Sequence, residues 1–491
     1  MASVASPATS AIDPVERYRW LNRLTWGANP AIADFARSVD RDTFVERQLQ
    51  ATGSHLPAPV QARIAALTIS RVPIESLLRD LDERRKAADA VPGDEERKAA
   101  QQAHQQDVNR IAREPATRHV LRALYSTDQI LERMTWFWLN HFSVNQNKAN
   151  LRLIMGDYEE SALRPHALGR FRDLLGAVAS HPAMLRYLDN EQNAAGHINE
   201  NFARELLELH TLGVDGGYSQ QDVQELARIL TGVGANFART TPNVRKDLQS
   251  RYVRRGLFDF NPARHDFGDK RFLGEPIRGK GLEELDEALD RMASHPATGR
   301  LISLRLATYW LSDTPPPRLV DDMALTFRKT DGDIRATLRT LFLSPEFRSG
   351  IPPKFKDPMN YVISAVRLAY DTRPIVNVGP VLAWLNRMGE PLYGRATPDG
   401  YPLQGSAWMS PGQMTTRFEV AKAIGSSSAG LFRTEDPAPV DQPAFPQLAN
   451  ALYHEAIART LSDSTRTALD QAGSQQEWNT LLLSSPEFMH R

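Results

Sequence analysis

The chain has 491 residues, 59 Lys plus Arg balanced by 59 Asp plus Glu, and no Cys. That length supports a large buried core, the balanced charge offers no bulk attraction to nucleic acid, and the missing Cys excludes disulfides, thiolate metal sites and thiol nucleophiles. No apolar run reaches the roughly eighteen residues of a membrane helix, so no membrane span is expected. Met1 to Pro7 lacks the basic flank and apolar block of an export signal. A mature chain with its leader removed reads the same way, so periplasmic or secreted placement stands beside a cytoplasmic one.

Residues 1–14 read as a flexible segment ahead of 15–491, which are expected to form one large, mainly α domain. Apolar spacing of three and four predicts helical stretches from Val15 to Leu49, Thr117 to Val144, Leu163 to Leu188, Phe202 to Leu230 and Leu282 to Leu311. Residues 84–115 are charged and rich in Ala and Gln around Val91-Pro92-Gly93-Asp94, which predicts a protruding helical hairpin. Strand signals are few. Leu257 to Phe260 and Lys270 to Gly274, with a Gly- and Asp-containing turn between them, predict a small β-hairpin inserted within 240–280. Pro315 to Pro317 and Gly350 to Pro353 read as loops. Ser344-Pro345-Glu346 is echoed by Ser485-Pro486-Glu487, both with helix-start chemistry, so the last residues are expected to dock as a helix.

Several polar clusters interrupt this pattern. Between Arg133 and Phe142, Trp138 and His141 lie three apart and Trp136 and Asn140 four apart, on shared helical faces. Rings beside polar donors suit a pocket that stacks on a sugar, or else a packed core around a satisfied His. Asp189 follows a helix into a loop, where it is a candidate carboxylate or a cap. The densest cluster is Asn199 to Leu209. At about 100° per residue, Asn201, Arg204, Glu205 and Glu208 share one stripe above an apolar face of Phe202, Ala203, Leu206, Leu207 and Leu209. Such a stripe is either a solvated edge braced by Glu200–Arg204 and Arg204–Glu208 pairs, each worth about 0.2–0.5 kcal/mol, or the edge of a site. Asp222, Glu225 and Arg228 form the next stripe, with Ser219 and Asp222 spaced as a helix cap. His265 and Asp266, with Lys270, fall in the predicted hairpin turn. Glu390 to Tyr393, Thr397 to Pro402 and Trp408 give a ring-rich stretch suited to lining a glycan groove.

Other chemistries fail on spacing. Phosphate loop, dinucleotide fingerprint, Gly-x-Ser-x-Gly elbow and His-Glu-x-x-His are all missing. Glu208 and His210 lie two apart, about 200° around a helix, and cannot share a metal. A metal site would need distant residues to converge, such as Glu205 or Glu208 with His141 and His265.

Leu21 to Gly27, Phe137 to Phe142, Asn199 to Gly213 and Tyr218 to Gly232, in this order, resemble a bacterial family known only as domain of unknown function 1800. His265-Asp266, Lys270 to Gly274, Thr397 to Tyr401 and Trp408 extend the likeness over most of the chain. Trp26 stands where the family usually has Phe, and Val233 where it often has Trp. The resemblance implies one large helical unit, often exported in relatives, and carries no settled activity; the family motifs coincide with the polar clusters.

The leading expectation is a glycan-active hydrolase with carbohydrate as its partner, using Glu205, Glu208 and Asp189 as acid, base or nucleophile. Glu205 and Glu208 leave one helix on the same side, so the opposing carboxylate is expected from Asp189, Asp222 or Asp266. Trp138, Asn140, His141, Asn201, Arg204, Asp222, His265, Asp266 and Trp408 are the expected substrate contacts, and neither cofactor nor metal is required. The alternatives are a metal-dependent enzyme built on His141, His265 and the acidic stripe, and a noncatalytic surface or assembly protein.

Overall fold

The computed structural model describes residues 12–238, 240–349, 353–433 and 445–491. Of the segment expected to be flexible, residues 1–11 lie outside the described residues, as do residues 350–352 of the second predicted loop. Asp13 instead caps the helix Pro14–Leu24, its carboxylate accepting from Val15 N at 3.4 Å.

The chain is mainly α, with 24 α-helical segments and two small sheets among the described residues. The predicted helical stretches are right in kind and are broken by identifiable caps. Leu163 to Leu188 divides at Ser180-His181-Pro182-Ala183, and Leu282 to Leu311 at Ser294-His295-Pro296-Ala297. In both, the His ring accepts the N–H of the residue after proline, at 3.1 and 3.2 Å, while proline supplies the φ of the first helical position. One continuous core runs from Trp20 to Met489. Among the described residues no helix is long and apolar enough to cross a membrane.

The charged hairpin forms from the helices Ile74–Asp89 and Asp94–Tyr125. Its small separate core consists of Leu77, Leu81, Val108 and Ile111. Exposed ion pairs such as Arg84–Asp107 at 2.9 Å and Arg85–Asp82 at 2.8 Å cover its surface.

Both predicted strands exist but do not pair with each other. β1 (Val233–Ala235), β2 (Val253–Arg255) and β3 (Phe258–Phe260) form an antiparallel sheet with β3 central, Phe260 facing Val233 and Val253. β4 (Lys270–Phe272) pairs with β5 (Glu275–Ile277). The cause is loop length. Leu273 and Gly274, at φ 50° and 81°, make the two-residue turn that closes β4 on β5. Gly256, at φ 63°, starts a similar turn from β2 into β3. These short closures win over the longer connection from Phe260 to Lys270.

The last residues dock without forming a helix. Ser485 Oγ accepts from Phe488 N at 3.1 Å, but the chain then turns into a backbone bridge with residues 354–356. Lys354 N donates to Arg491 O at 3.0 Å, Arg491 N to Lys354 O at 2.9 Å and Lys356 N to Met489 O at 2.9 Å. Ser485-Pro486-Glu487 starts a single turn, with Met489 N bonded to Ser485 O at 3.1 Å, and pairing with residues 354–356 stops it there.

Candidate functional site

A chain of side-chain amides sets up the acidic segment. Asn193 Oδ1 accepts from Asn199 N at 3.0 Å, Asn199 Oδ1 from Asn201 N at 3.0 Å, and Asn201 Nδ2 donates to Leu188 O at 3.2 Å. The helix Asn201–Glu205 then widens into a π-helical turn, Leu206–Thr211, with Leu212 N reaching back to Leu207 O at 2.9 Å. Such turns concentrate at functional sites because they displace side chains from the regular helical stripe. Here the displacement changes the pairing: Arg204 bonds Glu200 at 2.9 Å and Gln220 at 3.1 Å, and the expected Arg204–Glu208 pair does not form. Phe202, Ala203, Leu206 and Leu207 are buried as expected, while Glu205 and Glu208 are half-buried. Neither carboxylate has a hydrogen bond or ion pair to the described residues.

A second segment brings the opposing carboxylate. Asn140 clasps the loop after residue 396: Tyr401 N donates to Asn140 Oδ1 at 2.6 Å, and Asn140 Nδ2 to Tyr401 O at 3.0 Å. Gly400 is required there, at φ 78°, because a Cβ would lie 2.1 Å from Asn140 O. The clasp presents Asp399, which accepts from Arg395 at 2.9 Å and from the Thr397 hydroxyl. Burial and the adjacent Glu208 charge hold the Glu205 carboxyl above its usual range, with Asp399 adding to the rise and Arg204 opposing it. For Asp399, burial alone would raise the value, but the hydrogen bonds from Arg395 and Thr397 outweigh it and hold the group below the usual range. Both charges also act on Tyr187: burial, then Asp399 and Glu205, pushes its hydroxyl up to about 12, and it donates to Ala396 O at 3.0 Å. Half-buried Tyr218 stands beside Glu208 and Glu205 at the other end.

Behind these carboxylates lie two imidazoles and an arginine. His141 Nε2 contacts His210 O at 3.1 Å, and the two rings are 5.9 Å apart. Burial, assisted by Arg305, pushes His210 down to about 3, and burial holds His141 well below the usual histidine range, so both rings are neutral. His141 Nδ1, both ring nitrogens of His210 and Arg305 Nε are buried without a protein partner. Arg305 makes no hydrogen bond to any described residue.

A family model described as "Protein of unknown function (DUF1800)" matches residues 19–490. The chain belongs to this family. No curated protein and no solved structure matches it.

The remaining candidates divide between this site and other duties. Trp138 is fully enclosed and donates through Nε1 to Ala167 O at 2.9 Å; Trp408, 4% exposed, donates to Pro402 O at 3.1 Å. Neither indole offers a face to a ligand, which corrects the expected ring platform: both pack the scaffold, as does the Asn140 amide. Asp189, at φ 60°, pairs with Lys148 at 2.8 Å. Asp222 completes the capping box with Ser219 and accepts from Leu273 N at 2.7 Å. Asp266 pairs with Arg228 at 2.8 Å. His265 is drawn into a separate buried knot, its Nδ1 2.8 Å from Thr231 O and its Nε2 3.0 Å from Glu284, which also binds Lys270. With both nitrogens engaged there, His265 does not converge with His141. Among the described residues no group of three or more His, Asp or Glu is arranged to hold a metal.

A 270 Å³ cleft is lined in part by Glu191 and Asn193, just after Asp189, and by Arg186 and Asp259; Glu205 and Glu208 stand outside it. Asp399 and Arg305 join the candidate site in the structure without having been singled out by the sequence. Asp399 had a local signal, the Thr397-Pro398-Asp399-Gly400 turn; Arg305 had none, being one more arginine on a helical stretch.

Proposed function

We propose that the protein is a glycan-active hydrolase in which Glu205 is the general acid and Asp399 the base or nucleophile. One observation carries this reading: two carboxylates from separate segments, near enough for the Asp399 charge to act on Glu205, have unequal environments, Glu205 held above its usual range and Asp399 below it. In the reaction Glu205 gives its proton to the glycosidic oxygen as the carbon–oxygen bond breaks. Asp399 either takes a proton from the water that attacks the anomeric carbon or attacks that carbon itself, the covalent intermediate then being hydrolysed with Glu205 as base. Glu208, next to Glu205, favours the protonated form of the acid. Half-buried Tyr218, on which the charges of Glu208 and Glu205 act, offers a ring-bearing wall for a sugar. Polysaccharide as substrate also suits a periplasmic or secreted protein.

The test is a panel of purified polysaccharides, with products read by mass and by new reducing ends. Cleavage of one member, lost in Glu205→Gln and in Asp399→Asn while thermal unfolding is unchanged, is the expected result. Product release that persists in both variants removes this pair from the mechanism.

A further inference from the structure

The proposed carboxylates do not account for Arg305. It lies on the helix Pro296–Trp310, which packs against the π turn, and its charge acts on His141, His210 and Asp399. Its Nε is sealed from solvent with no acceptor, and none of its donors is bonded to a described residue. An arginine drawn partly out of water without a partner is costly, so most such groups end on a carboxylate or carbonyl. Asp399 does not serve, because Arg395 and Thr397 already hold its oxygens. The neighbouring imidazoles are neutral. Arg305 and Arg395 are the cations whose charge bears on Asp399, while Glu205 and Glu208 have no ion pair among the described residues.

Building on the hydrolase reading, we propose that the substrate is an acidic glycan whose uronate carboxylate is received by the free guanidinium of Arg305. A planar carboxylate matches the two-donor fork of arginine, and replacing water on an already half-buried guanidinium satisfies donors that the protein leaves open. Repulsion from the catalytic carboxylates is limited, since Glu205 acts in its protonated form and Arg395 offsets Asp399.

The experiment measures binding apart from turnover. Full-length protein carrying Glu205→Gln is titrated calorimetrically with polygalacturonate, alginate and hyaluronan oligomers and with their carboxyl-reduced, neutral counterparts. At least one acidic oligomer should bind about tenfold or more tightly than its reduced form. Adding Arg305→Met should abolish that preference, and Arg305→Lys should restore part of it. Equal affinity for every acidic and reduced pair, or a preference untouched by Arg305→Met, overturns the assignment. If the unmodified protein cleaves only neutral polysaccharides, the uronate assignment falls and the hydrolase reading stands; if it binds and cleaves none of either kind, both fall.

Discussion

Glu284 and Glu205 are both glutamates drawn out of water, and the protein treats them in opposite ways. Glu284 is fully enclosed and fully bonded: His265 Nε2, Lys270 Nζ and the N–H groups of Lys280 and Gly281 all reach its two oxygens. Burial alone would raise its pKa, but the bonds from His265 and Lys270 outweigh that and hold it below the usual range. Glu205 is less buried, has no such bonds and is held above the usual range by burial and by Glu208. A satisfied carboxylate fixes β4 against the helix Glu283–Ser294; an unsatisfied one is shifted towards its protonated form. Glu205 lies in one segment that resembles a family motif and Glu284 is held by His265 and Lys270 from two others, so motif membership alone does not separate the two duties, whereas hydrogen-bond saturation does.

The contrast breaks most visibly through activity. Glu205→Gln should lower kcat on a susceptible polysaccharide by about 10²–10⁴-fold, the usual range for a lost general acid, with unfolding by denaturant unchanged. Glu284→Ala should do the reverse, losing about 3–5 kcal/mol of stability because Lys270 and His265 are left buried without their partner; denaturant titration measures it, and a loss below about 1 kcal/mol would mean the knot is not structural. Gly400→Ala should destabilise by about 1–3 kcal/mol through the clash with Asn140 O and the left-handed backbone, and should lower kcat by moving Asp399.

Acidity sharpens the comparison further. Glu284, with a depressed folded pKa, contributes stability that is present above the unfolded carboxylate value of about 4.3 and is lost as pH falls through the folded value. Glu284→Gln should therefore flatten the acid side of the stability profile. Glu205 is shifted the other way, and on the proposed hydrolase reading its raised pKa should set the alkaline limb of kcat/KM while depressed Asp399 sets the acid limb, for a bell with an acidic optimum. The smallest effect belongs to the hairpin: Arg85→Ala, which removes exposed pairs to Asp82 and Asp89, should leave both melting temperature and activity unchanged.

Much of this was legible in the amino-acid order, for reasons that are local. Apolar spacing encodes helices, and the Val91-Pro92-Gly93 break encodes the hairpin. The Asn201, Glu205 and Glu208 stripe was readable because one face of Leu and Phe needs a core. What stayed hidden depends on contacts between distant residues. The π turn that uncouples Arg204 from Glu208 leaves no composition signal. Asp399 joins Glu205 only because Asn140, 261 residues before Tyr401, clasps the intervening loop. Trp138 and Trp408 looked like ligand platforms because a ring's sequence neighbours do not reveal whether its faces are covered. Strand partners were misassigned because the two-residue turn at Leu273-Gly274 was passed over as the end of a strand.

The bridge between residues 354–356 and 489–491 also reaches back to the first helix, where Asn22 Nδ2 donates to His490 O at 3.4 Å across 468 positions. Contacts of such separation form late, because the loop-closure entropy is lost before they return any stability. On a ribosome, Pro14–Leu24 emerges long before His490 has been translated. Trp20 on that helix meets the Phe44 ring at 5.0 Å, a contact available soon after residue 44 emerges, so the polar tie of Asn22 is the one that waits for His490.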